Sequence, residues 1–318
     1  MGDLAVSLPA YFGFSGVRAI KERGYYLLNS AKIYKSTSSP QEINARYNLL
    51  RQIEEAGFNF ADTIIPATTG APFVSLGREI FVMTKNIKGR EPDFENFCDM
   101  KIIFETLARF HLAAKNFKNA PQKSAPLSEI FSKQISILGA AVKQTNRRQR
   151  LSDFDVLILK HADSYTERAK NAAEILSATD YENLFLHALK NNHICHNALK
   201  EETFSICENN CYITRFEEAV VDLQLADIAS VLRRYARKSS RQIPVKNFLE
   251  IYDKISPLPS SAEKIIFAQL LFPWAFLKIV SQFYSKKQKF IPAATDARMS
   301  AVLSEQQNYD AYIEELRK

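Results

Sequence analysis

His196-Asn197-Ala198-Leu199-Lys200-Glu201-Glu202-Thr203 is followed by two short runs, Phe204-Ser205-Ile206-Cys207 and Tyr212-Ile213-Thr214-Arg215, and then by Phe216-Glu217. The two runs are rich in aromatic and branched residues, and Glu208-Asn209-Asn210 between them is turn-forming. A β-hairpin is therefore predicted straight after a His-led loop, with His193-Ile194-Cys195 as the strand that approaches it. The chain changes character on either side of this unit. Residues 1–88 read mainly as strands with one helix. Residues 89–318 read as helices, interrupted by the loop-and-hairpin region 193–217. Such an order predicts an α+β, bilobal architecture with a small β-rich N-terminal lobe and a large helical C-terminal lobe.

In the first part, Tyr25-Tyr26-Leu27-Leu28 and Ile33-Tyr34 are strand-like, with a turn at Asn29-Ser30. Ser39 suits an N-cap and Pro40 a first helical position. The apolar spacing Ile43, Tyr47, Leu50, Ile53 carries that helix to a stop at Gly57. Asn59–Ile65, Phe73-Val74 and Glu79–Thr84 are further expected strands. Lys88-Gly89-Arg90-Glu91-Pro92 breaks the pattern and marks the lobe boundary. Helices are expected beyond it at 102–117, 127–143, 153–178, 226–236, 245–255 and 262–283.

The 318 residues carry 42 Lys and Arg against 35 Asp and Glu, a net charge of +7, with 46 % hydrophobic residues. That composition fits an ordinary globular chain and excludes disordered or fibrous classes. The densest basic runs, Arg147-Arg148-Gln149-Arg150 and Lys286-Lys287-Gln288-Lys289, are short and separated. They read as solvated or anion-contacting surface, and no specific nucleic-acid partner is expected. No signal peptide pattern is present, and the longest apolar stretch, Ile265–Val280, is broken by Gln269, Pro273 and Lys278, so no membrane span is expected. Four cysteines do not make a disulfide scaffold in a chain this long. Cys207 and Cys211 flank the hairpin turn, where a bridge or a metal pair stays open beside a plain pair of thiols.

Several segments together resemble one family, the CotS-type spore-coat proteins of the aminoglycoside phosphotransferase and choline-kinase-like superfamily. Phe81–Glu91, ending in Gly89-Arg90-Glu91, resembles the family's hinge. Leu107-Ala108-Arg109-Phe110-His111 resembles its first long helix of the larger lobe. Leu151–Asp155 through Tyr181 resembles its helical insertion, and Leu271–Phe276 with Tyr284 and Lys287 its C-terminal helix. The resemblance covers most of the chain and implies a protein-kinase-like fold.

Such a kinase needs a loop of the pattern His-x-Asp-x-x-x-x-Asn and a metal-binding Asp after the hairpin. His196 matches the motif His. The Asp position falls on Ala198, the Asn position on Thr203 and the metal Asp on Arg215. Alanine is no base, threonine is a weak neutral ligand, and a cation repels Mg²⁺. Asp222 and Asp227 match an element that braces the loop. His196 itself is read as organising the turn, and His111 as a core histidine. The Lys that cradles nucleotide phosphates falls on Lys35, with Lys32 second. Its usual Glu partner is not evident: Glu42 is early in the helix, and Arg46 and Arg51 occupy the middle turns. Gly13 and Gly16 suit either a phosphate loop or a tight turn. Glu201, Glu202, Glu217 and Glu218 read as solvated, with Glu217 the candidate for a relocated metal ligand. Arg215 is expected to pair with Glu217 or Asp222.

The resemblance then implies a catalytically inactive, kinase-like structural or interaction protein. It would be made in the cytoplasm and assembled on the spore coat with other coat proteins, without a cofactor. The alternatives are an active small-molecule phosphotransferase using ATP and Mg²⁺ through relocated acids, and an ATP-binding regulatory module.

Overall fold

The computed structural model describes residues 4–118, 121–238, 244–284 and 292–314. They form two compact units interleaved along the chain. Residues 1–123, 191–224 and 250–257 make the first, and residues 124–190, 225–249 and 258–318 the second.

The first unit opens with α1 (Leu4–Tyr11), β1 (Ile20–Glu22), β2 (Tyr25–Leu27), β3 (Ala31–Ser36), α2 (Pro40–Glu55), β4 (Ile64–Ile65), β5 (Val74–Leu76), β6 (Glu79–Lys85) and α3 (Phe97–Ala113). These six strands form one antiparallel sheet in the order β1-β2-β3-β6-β4, with β5 also on β6. Alternation along β3 fixes its faces. Ala31 and Ile33 are fully buried in a cluster with Leu8, Phe12, Phe81 and Met83. Burial of each large apolar side chain of this kind contributes about 1.5–3 kcal/mol. Lys32 and Tyr34 point to the opposite face.

Helix α1 is additional to the one helix expected in residues 1–88, and it has Pro9 inside it. Proline has no N–H to give to the carbonyl four residues back. The freed carbonyl of Ala5 instead accepts the N–H of Ala19, 2.8 Å away. Helix α2 begins as its sequence dictates. Ser39 and Glu42 form a reciprocal capping box, Pro40 occupies the first position, and Gly57 follows the end at φ +93°. The strand expected over Asn59–Ile65 shortens to β4. Its first half turns away, and Phe60 accepts a hydrogen bond from Ile213 at 2.8 Å.

The same unit takes β7 (Ile194–Cys195), β8 (Phe204–Cys207), β9 (Asn210–Ile213) and β10 (Val220–Val221). Gly89 makes the hinge possible: Arg90 and Ile206 exchange backbone hydrogen bonds of 3.0 and 2.8 Å. Any Cβ at Gly89 would meet the Ile206 carbonyl oxygen at 2.6 Å. Arg90 then clamps the buried Asp99 of α3 with two bonds of 2.5 and 2.6 Å, which hold that carboxyl below its ordinary range.

The second unit is helical: α4 (Leu127–Asn146), α5 (Asp153–Ser177), α6 (Tyr181–Lys190), α7 (Leu225–Lys238), α8 (Val245–Asp253), α9 (Ala262–Leu271), α10 (Trp274–Tyr284) and α11 (Pro292–Glu314). Helix α8 ends among residues of the first unit. The single helix expected at 262–283 is two, bent by 44° at Phe272-Pro273. Stacked pairs, Phe131–Phe272 at 3.8 Å and Tyr165–Phe276 at 3.9 Å, hold α9 and α10 to α4 and α5. Arg148 is not a free basic surface: it grips Asp155 at 2.6 and 2.7 Å and lies over Tyr284. The run Lys286–Lys289 and Lys287 of the C-terminal resemblance lie outside the described residues.

Candidate functional site

Strand β7 pairs with β10, Cys195 opposite Val220, so residues 196–219 form a closed excursion from a two-stranded base. Inside it the His196 ring is fully buried and edge-on to Phe216. Its Nε2 donates to the Thr214 carbonyl at 2.9 Å, and its Nδ1 accepts the Ala198 N–H at 3.3 Å. A carbonyl only accepts, which assigns the ring proton to Nε2. Both ring nitrogens are thus engaged by backbone, and the His ties the loop to the strand end. Thr203 is buried, its hydroxyl donating to the Lys200 carbonyl at 2.7 Å and accepting the Lys200 N–H. The Thr214 N–H bonds Thr203 oxygen at 2.8 Å. Thr203 and Arg215 therefore sit beside Thr214, and the His196 ring links Ala198 to it. Thr203, however, turns its side chain into its own turn.

Arg215 sits in the left-handed region at φ +67°. Its backbone N–H donates to Asp62 at 3.2 Å, and its exposed guanidinium meets Glu202 at 3.4 Å. Neither Glu217 nor Asp222 is its partner. Glu202 also pairs with Lys200. Glu217 is held instead by Arg46 of α2, a side chain only 7 % exposed. The second terminal nitrogen of Arg46, Nη2, donates to the Tyr34 hydroxyl at 2.9 Å. Polarity is thus inverted relative to a Lys–Glu pair: the helix brings the cation and the loop brings the acid. Burial pushes the Tyr34 hydroxyl up to about 12, and Arg46 opposes it.

The two lysines lie on opposite faces of β3. Lys35 belongs to the parity of Ala31 and Ile33 and pairs with Glu79 at 2.6 Å, both exposed. Lys32 shares the Tyr34 face and lies close enough to act on Asp62. Asp62, which sequence reading missed, is a buried carboxyl. Burial pushes it up to about 7, against the pull of Lys32, the Arg215 N–H and Arg46, and with Glu217 adding to the rise. Alongside this cluster, α2 and residues 216–220 line a cavity of about 680 Å³ carrying Ser38, Glu42, Arg46, Glu217 and Glu218.

The remaining candidates are structural in placement. Gly13 closes the end of α1, its N–H bonded to Ala10 oxygen, and so serves a helix stop. His111 is buried against the Tyr252 hydroxyl at 2.8 Å. Asp222 accepts the N–H of Leu223, and Asp227 is buried in the first turn of α7. Cys207 lies opposite Asn210 and Cys211 opposite Ile206, so the two thiols face opposite sides of the hairpin. None of the four cysteines forms a disulfide, and burial pushes the Cys211 thiol up to about 12. Among the described residues no three His, Cys, Asp or Glu side chains converge as a metal-ligand group.

The fold defined by these elements is that of the aminoglycoside phosphotransferases. The structure of an aminoglycoside phosphotransferase from Alicyclobacillus acidocaldarius is similar at a TM-score of 0.82 and 17 % identity, over 99 % of this chain and 92 % of that one. A spectinomycin phosphotransferase, solved with ADP and spectinomycin, is similar at a TM-score of 0.61 and 12 % identity, over 98 % and 96 %. Within this class, residues 11–316 match the family described as "Spore coat putative kinase YutH", and the chain belongs to that family. It is similar to two Bacillus subtilis (strain 168) proteins at 22 % identity. They are the endospore coat-associated protein YutH, over 57 % of this chain and 54 % of that one, and spore coat protein S, over 51 % and 47 %. The chain spans about half the length of these curated relatives.

No single described helix is long and apolar enough to cross a membrane; the bent pair α9–α10 reaches that length and composition only together.

Proposed function

We propose that this chain is a spore-coat component that keeps the phosphotransferase fold as an interaction scaffold and has no Mg²⁺-dependent phosphotransfer. The reading rests most on Arg215, which motif spacing puts at the position of the metal-binding carboxylate and whose guanidinium pairs with Glu202. The rest of the donor set does not fit Mg²⁺–ATP. Ala198 offers no base, the Thr203 hydroxyl is consumed by its own turn, and Arg46 holds Glu217. Loss of a general base alone removes about 10²–10⁴ in rate. Family membership and the coat proteins among its relatives support a place in the spore coat, with other coat proteins as partners.

The test is calorimetric titration of the protein with ATP, with and without Mg²⁺, beside a turnover assay. No Mg²⁺-dependent binding is expected. Turnover would restore the enzyme reading, and Mg²⁺-dependent binding lost on Glu217→Ala would show a rebuilt metal site.

A further inference from the structure

In the second unit, Gln134 of α4, Arg233 of α7 and Trp274, Lys278 and Ser281 of α10 line a cavity of about 390 Å³. That size lies within the range of small-molecule sites, roughly 300–1,000 Å³. The Arg233 guanidinium lies over the Trp274 ring, 5.3 Å from its centroid. The other half-buried arginines of this unit each have a carboxylate, Arg148 with Asp155 and Arg168 with Asp310. Among the described residues Arg233 has none: the charged groups acting on it are Arg237 and Arg234, both cations, and the nearby Tyr309 hydroxyl is kept protonated by burial. Desolvation accordingly brings its guanidinium down to about 10. A cation withdrawn from water without a counter-charge is costly unless an anion joins it.

A second group at the same cavity is also unsatisfied. The Gln134 side-chain oxygen is buried without a hydrogen-bond partner. Exchange of the amide oxygen and nitrogen, which are interchangeable by shape, presents a donor there instead. The floor is fixed in place. Trp274 Nε1 donates to the Gln269 carbonyl at 2.9 Å, and the ring packs edge-on against Phe272 and Phe131. Exposed Lys278 adds a second cation to the rim.

We propose that this cavity binds an oxyanion group, carboxylate or phosphate, on a small molecule, with the Arg233 fork on Trp274 as its principal donor and Lys278 at its mouth. A planar guanidinium held on an aromatic face matches the two oxygens of such a group. The site uses none of the residues between His196 and Glu217.

Trp274 is the only tryptophan of the chain, so its fluorescence reports this cavity alone. The whole protein is titrated with sodium phosphate and, separately, sodium citrate, at constant ionic strength set with sodium chloride. A saturable change in Trp274 emission is expected with at least one of them, and the responding anion distinguishes phosphate from carboxylate. Arg233→Gln should weaken that response at least tenfold, and Lys278→Gln by a few fold. Wild-type emission that follows neither anion beyond the chloride response overturns the proposal. So does an Arg233→Gln protein that titrates like the wild type. If circular dichroism shows that Arg233→Gln fails to fold, unchanged affinity in the exposed Lys278→Gln variant overturns it equally.

Discussion

Asp62 is the residue whose chemistry depends most on the fold. Its carboxyl titrates near 7 in the folded protein and in the ordinary range near 4 when unfolded. Between those values the folded state holds the extra proton, so stability falls as pH rises across that window. The total loss is on the order of a few kcal/mol. Urea midpoints at pH 4.5 and 7.5 should drop for the wild type by more than for Asp62→Asn, which keeps the oxygen that accepts the Arg215 N–H; parallel profiles would show that Asp62 ionises freely. Arg215 gives the second prediction at this scale. A left-handed residue is better tolerated as Asp or Asn than as Arg. Ala198→Asp combined with Arg215→Asp should therefore fold, leaving structural Thr203 untouched. It should also increase Mg²⁺-dependent ATP affinity by at least about tenfold, or 1.4 kcal/mol. Calorimetry that shows no gain would mean that these positions do not face a metal site.

Among the elements, local chemistry was legible and parity was not. Ser39, Pro40 and Glu42 act on one another at the start of α2 and Gly57 acts just past its end, each through local backbone chemistry, so the bounds of α2 could be read from the sequence. The hairpin was legible for the same reason. Which of Lys32 and Lys35 faces the site depends on which side of β3 meets α1, and α1 itself was hidden by Pro9 and its tertiary bond to Ala19. The break between α9 and α10 sits at a proline already visible in the sequence, but the apolar run on both sides of it outweighed that signal. Two glycines test how elements are held. Gly89 leaves no room for a methyl group beside Ile206 and Ser205, whereas nothing lies within 4 Å of a Cβ at Gly139 in α4. Gly89→Ala should destabilise by about 1–3 kcal/mol through overpacking at the hinge. Gly139→Ala should stabilise by about 0.5–1 kcal/mol through backbone entropy. Opposite shifts of the urea midpoint are expected; shifts of the same sign would mean that the close approach at Gly89 relaxes freely.

At the scale of the whole molecule, the chain passes between its two compact units five times, after residues 123, 190, 224, 249 and 257. The departures from the motif at Ala198, Thr203 and Arg215 were visible because all three lie in one short stretch of sequence. The Asp62, Arg46, Tyr34 and Glu217 cluster was not, because its members lie in four separate segments and become neighbours only when the first unit closes. That closure has a consequence for fragments. Residues 1–88 contain the complete six-stranded sheet, α1 and α2, and their length alone permits a domain. Yet Phe60 receives its hydrogen bond from Ile213, Asp62 from Arg215, and Arg46 pairs with Glu217. Without residues 191–224, Arg46 and Asp62 lose these partners while α2 still has to be ordered, at about 1–2 kcal/mol of backbone entropy per residue. A fragment of residues 1–88 should therefore show no cooperative urea transition and no slowly exchanging amides in β3 and β6. A cooperative transition with protected β3 amides would show instead that the sheet and α1 suffice, and that the loop from His196 to Glu217 is an addition to a finished domain.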